Sequence, residues 1–377
     1  MHRQGLAYGL LDTLNKQFQN TLGITRTRSS GLRAAYFGAY PLASLGYGNW
    51  VLRHYGYRAV FILGLVLYGI GAFCMWPAGL KASFGGFCGA TFVIGSGLGC
   101  LETAANPYMA VTGPPRYAEM RINLAQAIQA VGTVVGPVLG SYVFFKKTDD
   151  SVDSLKSVQW VDLHLSLSSR RVEGIFYLGA DMAEQAQMIQ KASEESFRKQ
   201  YRLFHVAWAQ FCYTGAQVAI AGYFINYVTE VRSGTDSALG AKFLAAAQGC
   251  FAVGRFLGTA TLMICFFFES VCFPTIVALG IRGLGQHTKR GSGWIVAGVS
   301  GGACVPPLLG HVADMHNTAY AMIVPVMFFA SALTYAIAVN FVPAYRVPID
   351  STGEVGIAKR DPESASVQSD EKVVIKA

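Results

Sequence analysis

Phe84-Gly-Gly-Phe-Cys-Gly-Ala-Thr-Phe-Val-Ile-Gly-Ser-Gly-Leu-Gly-Cys-Leu101 runs without a single charge and continues as Glu102-Thr-Ala-Ala-Asn-Pro-Tyr108. The uncharged run is far longer than a strand and shows no apolar–polar alternation, so it predicts an α-helix. Its length is close to the roughly 20 residues that cross a hydrocarbon core of about 30 Å at ~1.5 Å per residue. Runs of the same kind recur at Ala34–Leu52, Ala59–Gly79, Ile122–Phe145, Leu203–Val228, Gly291–Ala313 and Thr318–Val342, each without Asp, Glu, Lys or Arg. Between Phe243 and Ile281 a longer apolar stretch is broken only by Arg255 and Glu269, and it predicts two spans. Gly5–Leu22 predicts a weaker, incomplete first helix. The expected fold class is therefore all-α, a polytopic membrane protein with about ten spans.

Composition agrees with that expectation. Of 377 residues, 52% are hydrophobic and 14% charged, with a mean hydropathy of +0.36. Soluble domains carry about a quarter charged residues, so this chain has too few to cover a water-exposed surface. The 42 glycines suit helices whose backbones approach closely in a membrane. A net charge of +8 would fit nucleic acid, but the basic residues sit in short clusters between apolar runs, as loop charges do. No nucleic-acid partner is expected. There is no cleavable signal pattern, so the spans themselves would direct insertion.

Cys74, Cys88, Cys100, Cys212, Cys250, Cys265, Cys272 and Cys304 all fall in apolar runs and form no CxxC pair. They read as buried small hydrophobes rather than metal ligands or disulfides. No GxxxxGK[ST] loop is present, which removes an ATP-driven pump, and no HExxH metalloprotease motif occurs. Neither an enzyme nor a cofactor is expected.

Polar residues inside the spans carry the functional argument, because hydrocarbon makes each one costly. Glu102 must pair, protonate or face a water-filled cavity if its helix continues. The alternative is that the helix ends there and Glu102 sits at the interface. Tyr108–Val111 stays apolar and the next basic residue is Arg116, which favours the cavity. Asn123, Gln126 and Gln129 recur every three residues and so share one broad helix face. They would line an aqueous cavity or act as interhelical glue. Gln210, Tyr213, Gln217 and Asn226 repeat the pattern on Leu203–Val228. Tyr beside amides suits a sugar, which has an apolar ring face and a rim of hydroxyls. Asp12 lies four residues before Lys16, the spacing of a simple helical ion pair.

Gly99-Cys-Leu-Glu-Thr-Ala-Ala-Asn-Pro-Tyr108 followed by Arg121-Ile-Asn-Leu-Ala-Gln126 resembles the signature of the fucose permease family, within the major facilitator superfamily. Ala209-Gln-Phe-Cys-Tyr-Thr-Gly-Ala-Gln217 and Phe273-Pro-Thr-Ile-Val-Ala-Leu-Gly-Ile-Arg-Gly-Leu-Gly285 resemble the same family further along. The likeness covers most of Gly9–Ser157 and Phe197–Tyr345 and is strongest to fungal fucose, glucose or galactose transporters. It implies two helical halves and sugar–proton symport, with sugar and protons as partners of a monomer in the lipid bilayer, most simply the plasma membrane. By the same resemblance Asp12 and Glu102 are the proton-coupling carboxylates. The substrate-binding set would be Gln126, Gln129, Asn106, Asn123, Gln210, Tyr213 and Gln217.

A full member of that family has twelve helices. Here Met1 precedes Asp12 by only about three turns. Val161–Glu173 is too charged to be the sixth helix, and the eighth runs straight into the tenth near Thr261–Ile264. The organisation expected is an N-terminal half over 1–145, a hydrophilic segment over 146–202, a C-terminal half over 203–343 and a disordered tail over 344–377. Loss of the sixth helix would invert the seventh and eighth in the membrane. On that count the chain is a transport-inactive or truncated relative of a symporter. Arg26, Arg28 and Arg33 would also face outward, against the positive-inside tendency.

Overall fold

The computed structural model describes residues 24–81, 83–112, 121–130, 134, 197, 200–231, 234, 236–257, 264–282, 284 and 287–345. Asp12, the hydrophilic segment up to residue 196 and the tail from residue 346 lie outside the described residues. All regular structure among those described is helical.

After a helical turn at Arg26–Ser29, α1 (Gly31–Pro41) continues through a π-helical segment, Leu42–Tyr47, into α2 (Gly48–Leu80). Gly56 divides α2: its φ of 79° and ψ of −176° lie where a side chain is strained, and the chain reverses there into a second span. Then come α3 (Phe84–Val111), whose N-cap Ser83 accepts from the Gly86 amide, and α4, the helix over 121–130. The second half comprises α5 (Tyr201–Val231), α6 (Ser237–Leu257), α7 (Ile264–Ile281), α8 (Thr288–Ala297), α9 (Gly301–Met315), α10 (Thr318–Ala321) and α11 (Ile323–Phe341). A 3-10 turn, Gly298–Ser300, joins α8 to α9. The long apolar stretch is indeed two helices, α6 and α7. Among the described residues, four stretches are long and apolar enough to cross a membrane: Arg26–Leu80, Phe84–Ala110, Thr288–Met315 and Thr318–Phe341. Ile62, Val66, Phe73 and Leu80 on α2, and Met327, Leu333 and Phe341 on α11, point outward. Such apolar outer faces suit lipid rather than water.

Glycine contacts give the directions. Gly31 meets Phe84, Gly95 meets the Tyr36 carbonyl and Gly99 meets Ala43, so α1 and α3 run parallel. In the second half, Gly298 meets the Ala207 carbonyl, Gly301 that of Phe211, and Gly310 the Tyr223 hydroxyl. Numbers rise together, so α5 runs parallel to α8 and α9. This corrects the expected inversion of the seventh and eighth helices: counting spans predicts a flip, but α5 can make these contacts in one direction only. An ideal Cβ at Gly301 would lie 1.8 Å from the Phe211 oxygen, so the approach is backbone to backbone.

Gly240 of α6 meets Ile225 and Thr229, and Gly280 of α7 meets Val206. Both helices therefore run antiparallel to α5 and in the same direction as each other. Among the described residues no antiparallel helix lies between them in sequence.

The halves meet along α1. Gly310 meets Thr27, Gly302 meets the Phe37 ring and Gly293 meets the Ser44 carbonyl, so α1 runs antiparallel to α8 and α9. One end of the body carries Arg26, Glu230 and Asp314, and the other Asn49, Lys289 and Tyr345.

Because α5 and α9 are parallel, cysteines introduced for Asp236 and His316 should react with an impermeant thiol reagent from the same side of the membrane. Labelling of the two from opposite sides would show that α5 is inverted after all.

Candidate functional site

Glu102 lies within α3, with more than two turns of helix after it, and is 1% exposed. The interfacial alternative for Glu102 is therefore not what the structure shows. Asn106 follows one turn later on the same face and is equally buried. Gly95 and Gly99 share that stripe and lie against α1 and the segment after it, so Glu102 and Asn106 sit on the side of α3 turned toward α1. The residue after Glu102 touches the other half: the Ser292 hydroxyl of α8 donates to the Thr103 carbonyl at 3.1 Å.

Arg121 fastens α4 to the end of α3. Its guanidinium donates to the carbonyls of Met109 (2.8 Å) and Ala110 (2.9 Å), two acceptors that the helix end leaves open. From there α4 enters the body with Gln126 (1% exposed) and Gln129 (6%) buried, while Asn123 is half-buried. On α5, Gln210 is fully buried and donates to the Thr214 hydroxyl at 3.0 Å. Its Cβ lies beside Gly298, at the 3-10 break between α8 and α9. Asn226 is also buried and Gln217 half-buried.

Tyr213 is placed differently from its amide neighbours. It belongs to the apolar core and packs on Phe329 of α11, ring centroids 6.2 Å apart. Asp12, the other expected carboxylate, lies outside the described residues.

Several atoms of the set keep hydrogen-bonding capacity. Glu102 Oε2, both side-chain polar atoms of Asn106, Gln129 Oε1 and Gln210 Oε1 are buried and have no partner among the described residues. Each such atom costs about 1–3 kcal/mol when left unsatisfied. A solute rich in hydroxyl groups supplies both donors and acceptors to such atoms, which an apolar solute cannot do.

Sequence reasoning missed the polar residues that tie the halves together: Asn49, Ser292, Thr103, Arg26, Glu230 and Asp314. It also left Arg26 and Arg33 as an exception to the positive-inside tendency. The structure accounts for two of the three arginines. Arg26 is held by Glu230 and by the Ala313 carbonyl, and Arg33 is 1% exposed against Gly222, so neither acts as a free loop charge. The 3-10 break was legible in principle, since Gly298-Val-Ser-Gly-Gly302 is a run of helix-weakening residues. The same five residues match the GxSxG hydrolase pattern, but they join two helices, whereas a nucleophile elbow joins a strand to a helix.

Buried polar groups on helices from two halves, around a broken helix, are the arrangement of a membrane transporter. A profile of the Major Facilitator Superfamily matches residues 4–149. The chain is 30% identical over 391 residues to the L-fucose-proton symporter of Escherichia coli (strain K12), covering 88% of this chain and 89% of that one. To the glucose/galactose transporter of Brucella abortus biovar 1 (strain 9-941) it is 29% identical over 368 residues, covering 87% and 89%. The crystal structure of the transporter FucP in the outward conformation superposes with a TM-score of 0.62 at 28% identity, covering 89% of this chain and 96% of that one. The proton:xylose symporter XylE, at 13% identity and TM-score 0.59, covering 90% and 94%, shares the fold. The chain belongs to the major facilitator superfamily and, within it, to the fucose permease family. It is a multi-pass membrane protein and not an enzyme.

Asn106 separates a solute-facing role from a structural one. Asn106→Leu should leave the thermal midpoint in detergent unchanged or raise it, because it removes a buried polar group that holds no helix. A clear fall in the midpoint would make Asn106 interhelical glue.

Proposed function

We propose that the chain moves a hexose of the fucose, glucose or galactose type together with a proton across the plasma membrane, as a monomer, by alternating access. The single observation that supports this most is the burial of Glu102 in α3 beside a bond between the halves, Ser292 to Thr103. Burial disfavours the charged form of any carboxylate, so proton uptake there removes a desolvation cost. The gain differs between conformations that wet the carboxylate and those that bury it, which is how a proton shifts a two-state equilibrium. Asn106, Gln126, Gln129 and Gln210 would take the sugar hydroxyls, with Asn123 and Gln217 at the margin, and the two halves would rock around them. Asp12 is assigned to proton coupling by resemblance alone.

Two substitutions test the roles in a host lacking sugar uptake. Glu102→Gln mimics the protonated form and should abolish accumulation against a gradient while exchange of internal for external sugar survives. Accumulation at the parent level would remove Glu102 from coupling. Replacing Gln126 and Gln129 by Leu should raise the apparent KM about two- to tenfold for each hydrogen bond of roughly 0.5–1.5 kcal/mol that is lost. An unchanged KM with lower thermal stability would make the two amides structural.

A second reading, a polypeptide that does not complete coupled transport, is favoured by one observation. The 391 positions aligned to the E. coli symporter exceed the 377 residues of this chain, so stretches of that relative have no counterpart here. The connection between α6 and α7 supports one such place, since the two run the same way although only residues 258–263 separate them. Seven Cα–Cα steps reach about 25 Å at most, against about 27 Å for the length of α7. Comparing proton-dependent uptake by this chain with that of one given a sixth and a ninth helix decides the matter. Equal uptake supports symport by the chain as it stands, and uptake by the repaired chain alone supports the second reading.

A further inference from the structure

The two ends of the contact between the halves are built from different chemistry. At the Asn49 end two neutral hydrogen bonds cross, from the Asn49 amide to the Lys289 carbonyl at 2.8 Å and from Ser292 to Thr103, with the Lys289 ammonium 5.1 Å from the centroid of the Tyr57 ring. At the Arg26 end the side-chain bonds are charged and dense. The Arg26 guanidinium pairs with the Glu230 carboxylate and donates to the Ala313 carbonyl at 2.7 Å. Asp314 accepts from the amides of Arg26 (3.2 Å) and Thr27 (3.0 Å) and from the Thr27 hydroxyl (2.7 Å). The Tyr223 hydroxyl donates to the Arg26 carbonyl at 2.9 Å. Glu230 is itself held from α10, accepting from the Thr318 amide (2.8 Å) and hydroxyl (2.9 Å).

Arg26 and Thr27 come from the first half; Tyr223, Glu230, Asp314 and Thr318 come from the second. The two halves cannot separate at this end without breaking all the bonds between them together. They can do so reversibly, because Arg26 and Glu230 are about a quarter exposed and water can replace each partner. Directly behind them Ser30 is fully buried.

We propose that Arg26, Glu230 and Asp314 form a charged gate that holds this face of the transporter shut and sets its resting preference between the two access states. Thr318 orients the Glu230 carboxylate and Thr27 adds to the grip on Asp314. The proposal rests on rocking of the two halves but not on the identity of the solute or on proton coupling. Weakening the gate should raise the population open at this end and lower the population open at the other, since one motion governs both.

The test uses the whole chain in detergent, with Ser30→Cys as reporter behind the gate and Ser44→Cys as reporter at the Asn49 end. Modification of each by a maleimide is read at its own peptide by mass spectrometry, so the native cysteines do not interfere. Arg26→Gln or Glu230→Gln should speed labelling at position 30 about tenfold, within the range of ordinary coupling energies, and slow it at position 44. The double substitution should be no faster than the faster single, because both remove one interaction. Asp314→Asn should add a further increase. Unchanged labelling at position 30, or faster labelling at both reporters, would overturn the gate, the latter by showing general loosening. If these variants do not fold, Thr318→Ala removes only one hydroxyl and should still raise labelling at position 30 about two- to threefold, the worth of one neutral bond. No change there would overturn it equally.

Discussion

Where α5 crosses the start of α9, the two backbones lie so close that a methyl group on Gly301 would sit 1.8 Å from the Phe211 oxygen. Contacts of this kind at Gly298, Gly301 and Gly310 lock α5 into one register and one direction. Much else follows from that direction. Gln210 is brought beside the 3-10 break, Glu230 is carried to the end where Arg26 lies, and Arg33 is accommodated against Gly222. In a membrane, helices gain little from leaving lipid for each other, so close packing and polar contacts decide how they associate. The glycines supply the first and free α5 to supply the second.

Polar groups inside this body fall into two sets with different fates. Asn49, Ser292, Arg26, Arg121 and Thr318 spend their hydrogen bonds on other parts of the chain. Glu102, Asn106, Gln129 and Gln210 retain acceptors or donors that no described residue meets. The first set joins elements, and the second is the set we propose to face what passes between them. That division is the physical content of calling the site a transport site. Tyr213, which shares a helix with Gln210, packs its ring on Phe329 within the apolar core.

The contact between the halves is uneven along its length. Neutral hydrogen bonds, close backbones and the Lys289 ammonium over the Tyr57 ring join the halves at one end, and an ion pair with a cluster of hydrogen bonds joins them at the other. Partly exposed charges attract strongly enough to choose a partner yet remain replaceable by water. An interface that must open and close gains from having such groups at a mouth. Buried pairs deeper in would cost too much to separate.

The sequence by itself determined the helical character of the described apolar runs, the pairing of α6 with α7 inside one apolar stretch and the burial of Glu102. Each of these depends on local facts: run length, the absence of charge, and the cost of a carboxylate in hydrocarbon. The family strings around Glu102 and Arg121 pointed to the right class before any contact was known. Only the tertiary structure decided the direction of α5, where counting spans gave the opposite answer, and the partners of Arg26 and Arg33, which looked like misplaced loop charges. These depend on residues up to nearly 290 positions apart in the chain, such as Arg26 and Asp314. Periodicity reports which face a residue occupies, but what lies across from that face is set by packing between distant helices.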